Sequence, residues 1–350
     1  MGKRTLKIAT GLAVSAGFIA WSLRGKPLGR IWAELQAANY WTLIPFFAIL
    51  LVIHLLRTVR WGMLLAPVER LPFRRLNAAS AVGLMALVLL PLRLGEFARP
   101  YLVRRAGKVS GSEAMASIVA ERALDGLFVA GLLVLSLLGF SADLRFAWAL
   151  QSGRALLLAL AALLALLALA AWRLELARRV IRATIGRVQP GLAEQICRRL
   201  AGLVRGLRAL PSPASALGIL ALTALYWAAN ALGTWVLALG FALPITPVQA
   251  SYCVAVRAIG VTLPSGPGML GTFQAFTELG LAPFIPPAKQ ADAAAFANVL
   301  WAAQFLQQVV LGLIFLGSRE LFADHQPVTL GELMRAGETL VETDEAAPHG

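Results

Sequence analysis

The chain has 350 residues, 59% hydrophobic and only 14% charged, with a mean hydropathy of +0.73. A soluble globular domain carries roughly 25% charged residues, so this composition excludes a soluble enzyme and indicates a helical membrane protein. The net charge of +14 sits in loops between apolar runs and reads as topology and anionic-lipid contact; no aromatic-basic motif for nucleic acid accompanies it.

Cys197 and Cys253 occupy unlike contexts, and His54, His325 and His349 form no H-E-x-x-H pair. No disulfide framework, metal site or cofactor is expected.

In chain order, Leu6–Leu23 is apolar and follows Lys3 and Arg4; it lacks a small-residue cleavage site and reads as an uncleaved first helix. Tyr40–Leu56 is the second span, anchored by Tyr40 and Trp41, with Arg57, Arg60, Arg70, Arg74 and Arg75 as its basic flank. Leu76–Pro91 is apolar but would rise only about 24 Å as a helix, against a hydrocarbon core of about 30 Å. Ala114–Phe140 is long enough to span, although Glu121, Arg122 and Asp125 lie in its first half. Ala155–Trp172 is an uncharged Ala/Leu span. Arg173–Leu210 interleaves arginine with Leu, Ile and Val, the pattern of amphipathic helices on an anionic bilayer surface or of a solvated loop helix. Ala214–Gly240 spans. Val248–Leu263 is again short and holds Arg257, Thr272–Phe284 is mildly apolar, and Ala293–Leu316 is the last span. The tail after Arg319 is dominated by acids from Glu320 to Glu345 and reads as solvated.

Two stretches repeat. Leu90-Pro91-Leu92-Arg93-Leu94-Gly95-Glu96 and Leu263-Pro264-Ser265-Gly266-Pro267-Gly268 each end an apolar run at Leu-Pro, and one offset aligns Pro91 with Pro264 and Gly95 with Gly268. Paired broken segments in two halves of a membrane protein point to a substrate site near the midplane. The basic segments before residue 7, at 57–75, at 93–108 and at 173–210 are all expected on the cytoplasmic side. That places both flanks of Leu76–Pro91 on one side, so this element dips in and returns, and Val248–Leu263 enters from the opposite side. The expected architecture is all-α: about six full spans plus two re-entrant elements in an inverted repeat, with both termini cytoplasmic. Eight full spans is the alternative. The membrane domain covers 1–320, with 173–210 as a linker inside it, and 321–350 is an acidic cytoplasmic tail.

Charge inside apolar helices is costly and faces a bundle interior or a wet cavity. Glu121 and Asp125 share a helix face, with Arg122 beside them, as two acids around one base. The rival reading is an ion-pair network that only locks helices. Arg93, Glu96 and Arg99 sit at the first break, where guanidinium forks suit a phosphate; Arg104 fits a positive-inside stop signal better. Arg257 is an isolated charge that needs a buried acid or an anionic substrate. Gly266, Pro267, Gly268 and Gly271 permit a tight turn. His54 reads as an interfacial or packing residue.

The ordered set Arg57-x-x-Arg60-Trp61, Leu90-Pro91-x-Arg93-x-Gly95-Glu96-x-x-Arg99, Glu121-Arg122-x-x-Asp125 and Leu263-Pro264-Ser265-Gly266-Pro267-Gly268 resembles the membrane region of lysylphosphatidylglycerol synthases, also called flippase-like. The resemblance covers roughly residues 5–320. It implies an inner-membrane protein that moves a lipid between leaflets, with Arg93, Glu96, Arg122 and Asp125 at the path. The chain resembles stand-alone members, which lack a soluble transferase domain. The expected function is translocation of a phosphate-containing lipid, whether aminoacylated, glycosylated or polyprenyl, and not an enzyme activity. The expected partners are that lipid, anionic lipids at the basic loops and a cytosolic lipid-modifying enzyme. Two alternatives are a membrane-embedded lipid-phosphate transferase or hydrolase, and a non-catalytic anchor for such an enzyme.

Overall fold

The computed structural model describes residues 28–90, 95–106, 109, 111–138, 213–263 and 265–317, with isolated positions elsewhere. Leu6–Leu23, Ala155–Trp172, the 173–210 segment and the 321–350 tail lie outside the described residues or are described at isolated positions only, and Pro91, Arg93 and Pro264 lie outside them. All the described elements are helical: α1 (Leu28–Ala37), α2 (Leu43–Leu65), α3 (Phe73–Leu89), α4 (Ala98–Ala106), α5 (Gly111–Leu138), α6 (Pro213–Leu239), α7 (Pro247–Gly260), α8 (Thr272–Leu281) and α9 (Gln290–Leu316).

Among the described residues, three helical stretches are long and apolar enough to cross a bilayer: Tyr40–Leu65, Ala214–Leu239 and Pro287–Leu316. Each leaves large apolar side chains uncovered by protein, such as Ile44 and Leu55 on α2, Leu217 and Leu225 on α6, and Leu313 and Ile314 on α9. Exposed apolar rows of this extent fit a lipid surround. At 28 residues, α5 has the length to span, about 42 Å; its four charged residues set it apart.

α2 corrects one sequence expectation. It does not end at Leu56, where the arginines begin, but runs nine residues further to Leu65. Arg60 and Trp61 are fully buried. Their helix continues because carboxylates of α5 neutralise the guanidinium groups inside the protein.

Two elements are broken hairpins. α3 has 17 residues and α4 has nine, so their rises of about 25 and 13 Å both fall short of a bilayer core. α7 and α8, at 14 and ten residues, rise about 21 and 15 Å. The arms of each pair run antiparallel. Gly83 of α3 abuts the Arg99 side chain while Gly95, at the mouth of α4, abuts the backbone of Ala86 and Leu87. Partner numbers fall on one arm as they rise on the other. The same holds for Cys253 with Gly280 and Gly260 with Phe276. Glycine is required at Gly83 and Gly95 because a Cβ would occupy the partner's space.

α3 ends at Leu89, just before the Leu90-Pro91 step, and residues 91–94 lie outside the described residues. The second break is a turn at Pro267–Met269, where Gly268 has φ +68 and its carbonyl accepts from Trp301 Nε1 at 2.7 Å. Gly271 N–H donates to Gln274 Oε1 at 2.8 Å, capping α8. α3 touches this turn and packs along α9, with Gly312 against Met85; small residues allow such close helix approach in membranes. The tip of the second hairpin therefore borders α3. One apolar core gathers α3, α4 and the ends of α2 and α5 around Trp61, Met85 and Leu102; a second gathers α6 to α9 around Phe46, Phe296 and Leu300. α5 joins them through Val129, Leu133 and Leu137, which pack on Tyr252 of α7.

Candidate functional site

The i, i+4 spacing on α5 puts Glu121 and Asp125 on one face, as the sequence predicts. The base between them is not Arg122. It is Arg60 of α2, which lies 65 positions before Asp125 and grips both its oxygens, Nη1 to Oδ1 at 2.7 Å and Nη2 to Oδ2 at 3.1 Å. Arg122 reaches Asp125 only at 3.9 Å, and its side chain is 37% exposed. Arg60 Nη2 also donates to Glu121 Oε1 at 3.0 Å, Nη1 to Thr223 Oγ1 at 3.3 Å, and its guanidinium lies 5.0 Å from the Tyr226 ring centre.

Glu121, fully buried, is the hub. It accepts from Arg57 Nε at 3.2 Å through Oε1 and from Arg99 Nη1 at 2.9 Å through Oε2. Arg99 is stacked over the Trp61 ring at 4.1 Å. Trp61 is held in turn by its Nε1 donating to Ser117 Oγ at 3.1 Å, and Ser117 donates back to Ala114 O. Four arginines, Arg57, Arg60, Arg99 and Arg122, thus surround the carboxylates of Glu121 and Asp125, with Glu96 close by. Breaking a buried pair is destabilising because it strands a charge.

Beside this group lies a small, partly open space bordered by Arg57, Arg99, Arg122, Glu96, Gly83 and Gly95. It has room for about one water molecule, so a phosphate group enters it only when the surrounding side chains move apart. Arg99 Nε and Nη2 and Arg122 Nε are buried and make no hydrogen bond among the described residues. Arg99 therefore brings two idle donors to the cavity.

Of the residues singled out from sequence, Glu96, Arg99, Glu121, Arg122 and Asp125 come together here, with Gly95 as a wall. Arg93 and Pro91 lie outside the described residues. Arg257 belongs elsewhere. It is 6% exposed, its Nη2 donates to Thr234 Oγ1 at 3.2 Å, and its guanidinium sits 5.2 Å from the Phe273 ring centre. Its Nη1 has no hydrogen bond, and no carboxylate pairs with it among the described residues. Gly266 and Gly268 are buried in the second turn and Pro267 is exposed. His54 is buried and pairs through Nε2 with Asn77 Oδ1 at 2.9 Å, a packing role.

The sequence reading treated Arg57 and Arg60 as a basic flank and so missed the strongest ion pair. A signal was present: His54, Thr58, Trp61 and Leu65 continue the buried stripe of Phe46 and Leu50 at helical spacing, so the helix face runs on past the first arginine.

A family model described as the lysylphosphatidylglycerol synthase TM region matches residues 8–312. No curated protein matches the chain.

Proposed function

The chain belongs to the lysylphosphatidylglycerol synthase transmembrane-region family, and from that premise we propose that it carries a phosphate-bearing lipid between the two leaflets of the inner membrane. One observation carries this reading: a small space bordered by Arg57, Arg99 and Arg122, at which the buried Arg99 keeps two guanidinium nitrogens without a hydrogen-bond partner. Guanidinium groups bind phosphate oxygens bidentately and keep their charge in apolar surroundings. Binding a phosphate monoanion there lowers the cost of taking the headgroup through hydrocarbon. The acyl or prenyl tails stay in the bilayer.

The broken hairpins complete the mechanism. α3–α4 and α7–α8 are each too short to cross, and in this reading they enter from opposite leaflets as an inverted repeat and meet beside α3. Both termini are cytoplasmic. The lipid leaves chemically unchanged, so the activity is transport and not catalysis. The acids have two tasks: Asp125 holds Arg60, and Glu121 keeps Arg57 and Arg99 aimed at one place.

The test is leaflet exchange of fluorescent phosphatidylglycerol in reconstituted phosphatidylcholine vesicles. The wild-type protein accelerates exchange, and Arg99→Gln abolishes it while the protein keeps its melting temperature. Wild-type exchange in a folded Arg99→Gln protein, or chemical turnover of the lipid, defeats the proposal.

A further inference from the structure

α6 is apolar but for one row. After its first turn its hydroxyl and amide side chains are Thr223, Tyr226, Asn230 and Thr234. Steps of three, four and four residues place all of them on one helix face. Leu225 and Leu232, on the other side, are exposed. From Thr223 to Thr234 the helix rises about 16 Å, roughly half of the hydrocarbon core.

Both ends of the row hold a buried arginine. Thr223 accepts from Arg60 at 3.3 Å and Thr234 from Arg257 at 3.2 Å. Tyr226 lies under Arg60, whose guanidinium is 5.0 Å from its ring centre. Asn230, half-buried, sits between and donates to Tyr226 O at 2.8 Å. The two threonines also donate to carbonyls one turn back, which makes them cheap in a membrane helix. Asn230 shares this back-bonding, but it accounts neither for Tyr226 on the same face nor for a buried Arg257 with an unused Nη1 and no acid beside it among the described residues. An unpaired buried cation is the costliest of these features.

We propose that this face of α6 is the track for an anionic headgroup, which passes from the Arg57/Arg99 cavity over Tyr226 and Asn230 to Arg257, a second anion station on the other hairpin. The proposal rests on the lipid-translocation reading and names its route. The ligand is recognised by its phosphate group.

Cysteine labelling tests it. In a Cys197→Ala/Cys253→Ala background reconstituted in phosphatidylcholine vesicles, Tyr226→Cys and Asn230→Cys react with an anionic methanethiosulfonate, whereas Leu225→Cys and Leu232→Cys do not. Adding phosphatidylglycerol to the vesicles slows modification at 226 and 230 several-fold, and Arg257→Gln removes that protection at 230. Protection by inorganic phosphate too assigns recognition to the phosphate group alone; protection by the lipid only assigns it to the whole headgroup, and both results support the track. Equal labelling of the two faces, or protection at 230 that survives Arg257→Gln, overturns it. The contrast between faces needs no change at Arg257, so a folding failure of that variant leaves the labelling decisive. Exchange of fluorescent lipid in the same vesicles separates the two claims. Labelling without exchange defeats translocation and keeps an anion-accessible track, and exchange without labelling defeats the track alone.

Discussion

Arg60 and Arg99 share the carboxylate of Glu121, yet their remaining donors meet different surroundings. Arg60 is close to saturated, with Asp125, Glu121, Thr223 and the Tyr226 ring around it. Arg99 has one carboxylate oxygen and one ring, and two N–H groups are left over. This division predicts opposite phenotypes. Asp125→Ala removes the bidentate partner of Arg60 and leaves it one oxygen of Glu121, which Arg57 also uses; it should cost about 3 kcal/mol of stability, read by denaturation in mixed micelles. Arg99→Gln leaves Glu121 with Arg57 and Arg60, so stability should hold while binding of phosphatidylglycerol disappears. Equal destabilisation by both changes would make the whole cluster a helix lock.

At the scale of elements, the first hairpin is closed by contact between glycine and its partner arm. Gly83 gives the Arg99 side chain its place, and no charge needs to change to disturb it. Gly83→Ala should push Arg99 away from Glu121 at an overpacking cost of about 1–3 kcal/mol, and lower lipid exchange well beyond what a similarly destabilised control outside the site shows. Exchange that tracks stability alone would detach the glycine from the site. The breaks themselves were readable in advance, because a Leu-Pro followed by glycine stops a helix through local sterics. The end of α2 was not. An arginine looks like the water-facing end of a span until its carboxylate is known, and that carboxylate lies on another helix.

For the molecule as a whole, the hairpin reading makes a topological prediction. On that reading, the ends of the α7–α8 unit should open on one side of the bilayer, and the start of α3 on the other. In cysteine-free protein, Val248→Cys and Pro286→Cys, both exposed positions, should react with an impermeant thiol reagent from the outer face. Arg74→Cys, also exposed, should react from the cytoplasmic face. Labelling of Val248→Cys and Pro286→Cys from opposite faces would mean that α7 and α8 together cross the membrane, and the inverted repeat would fall.

The residues alone were enough to declare the helical membrane class, the two break points and the shared face of Glu121 and Asp125. Hydropathy, proline-glycine sterics and helical spacing all act over a few neighbouring positions, so they are written in the order of the chain. Which arginine answers which acid was decided only in three dimensions. Arg99 and Glu121 are 22 positions apart and Arg60 and Asp125 are 65 apart. Nothing local distinguishes a guanidinium bound for a buried carboxylate from one bound for a lipid phosphate. Only packing α2, α4 and α5 against one another gives both terminal nitrogens of Arg60 carboxylate partners and leaves Arg99 with one such nitrogen unpartnered.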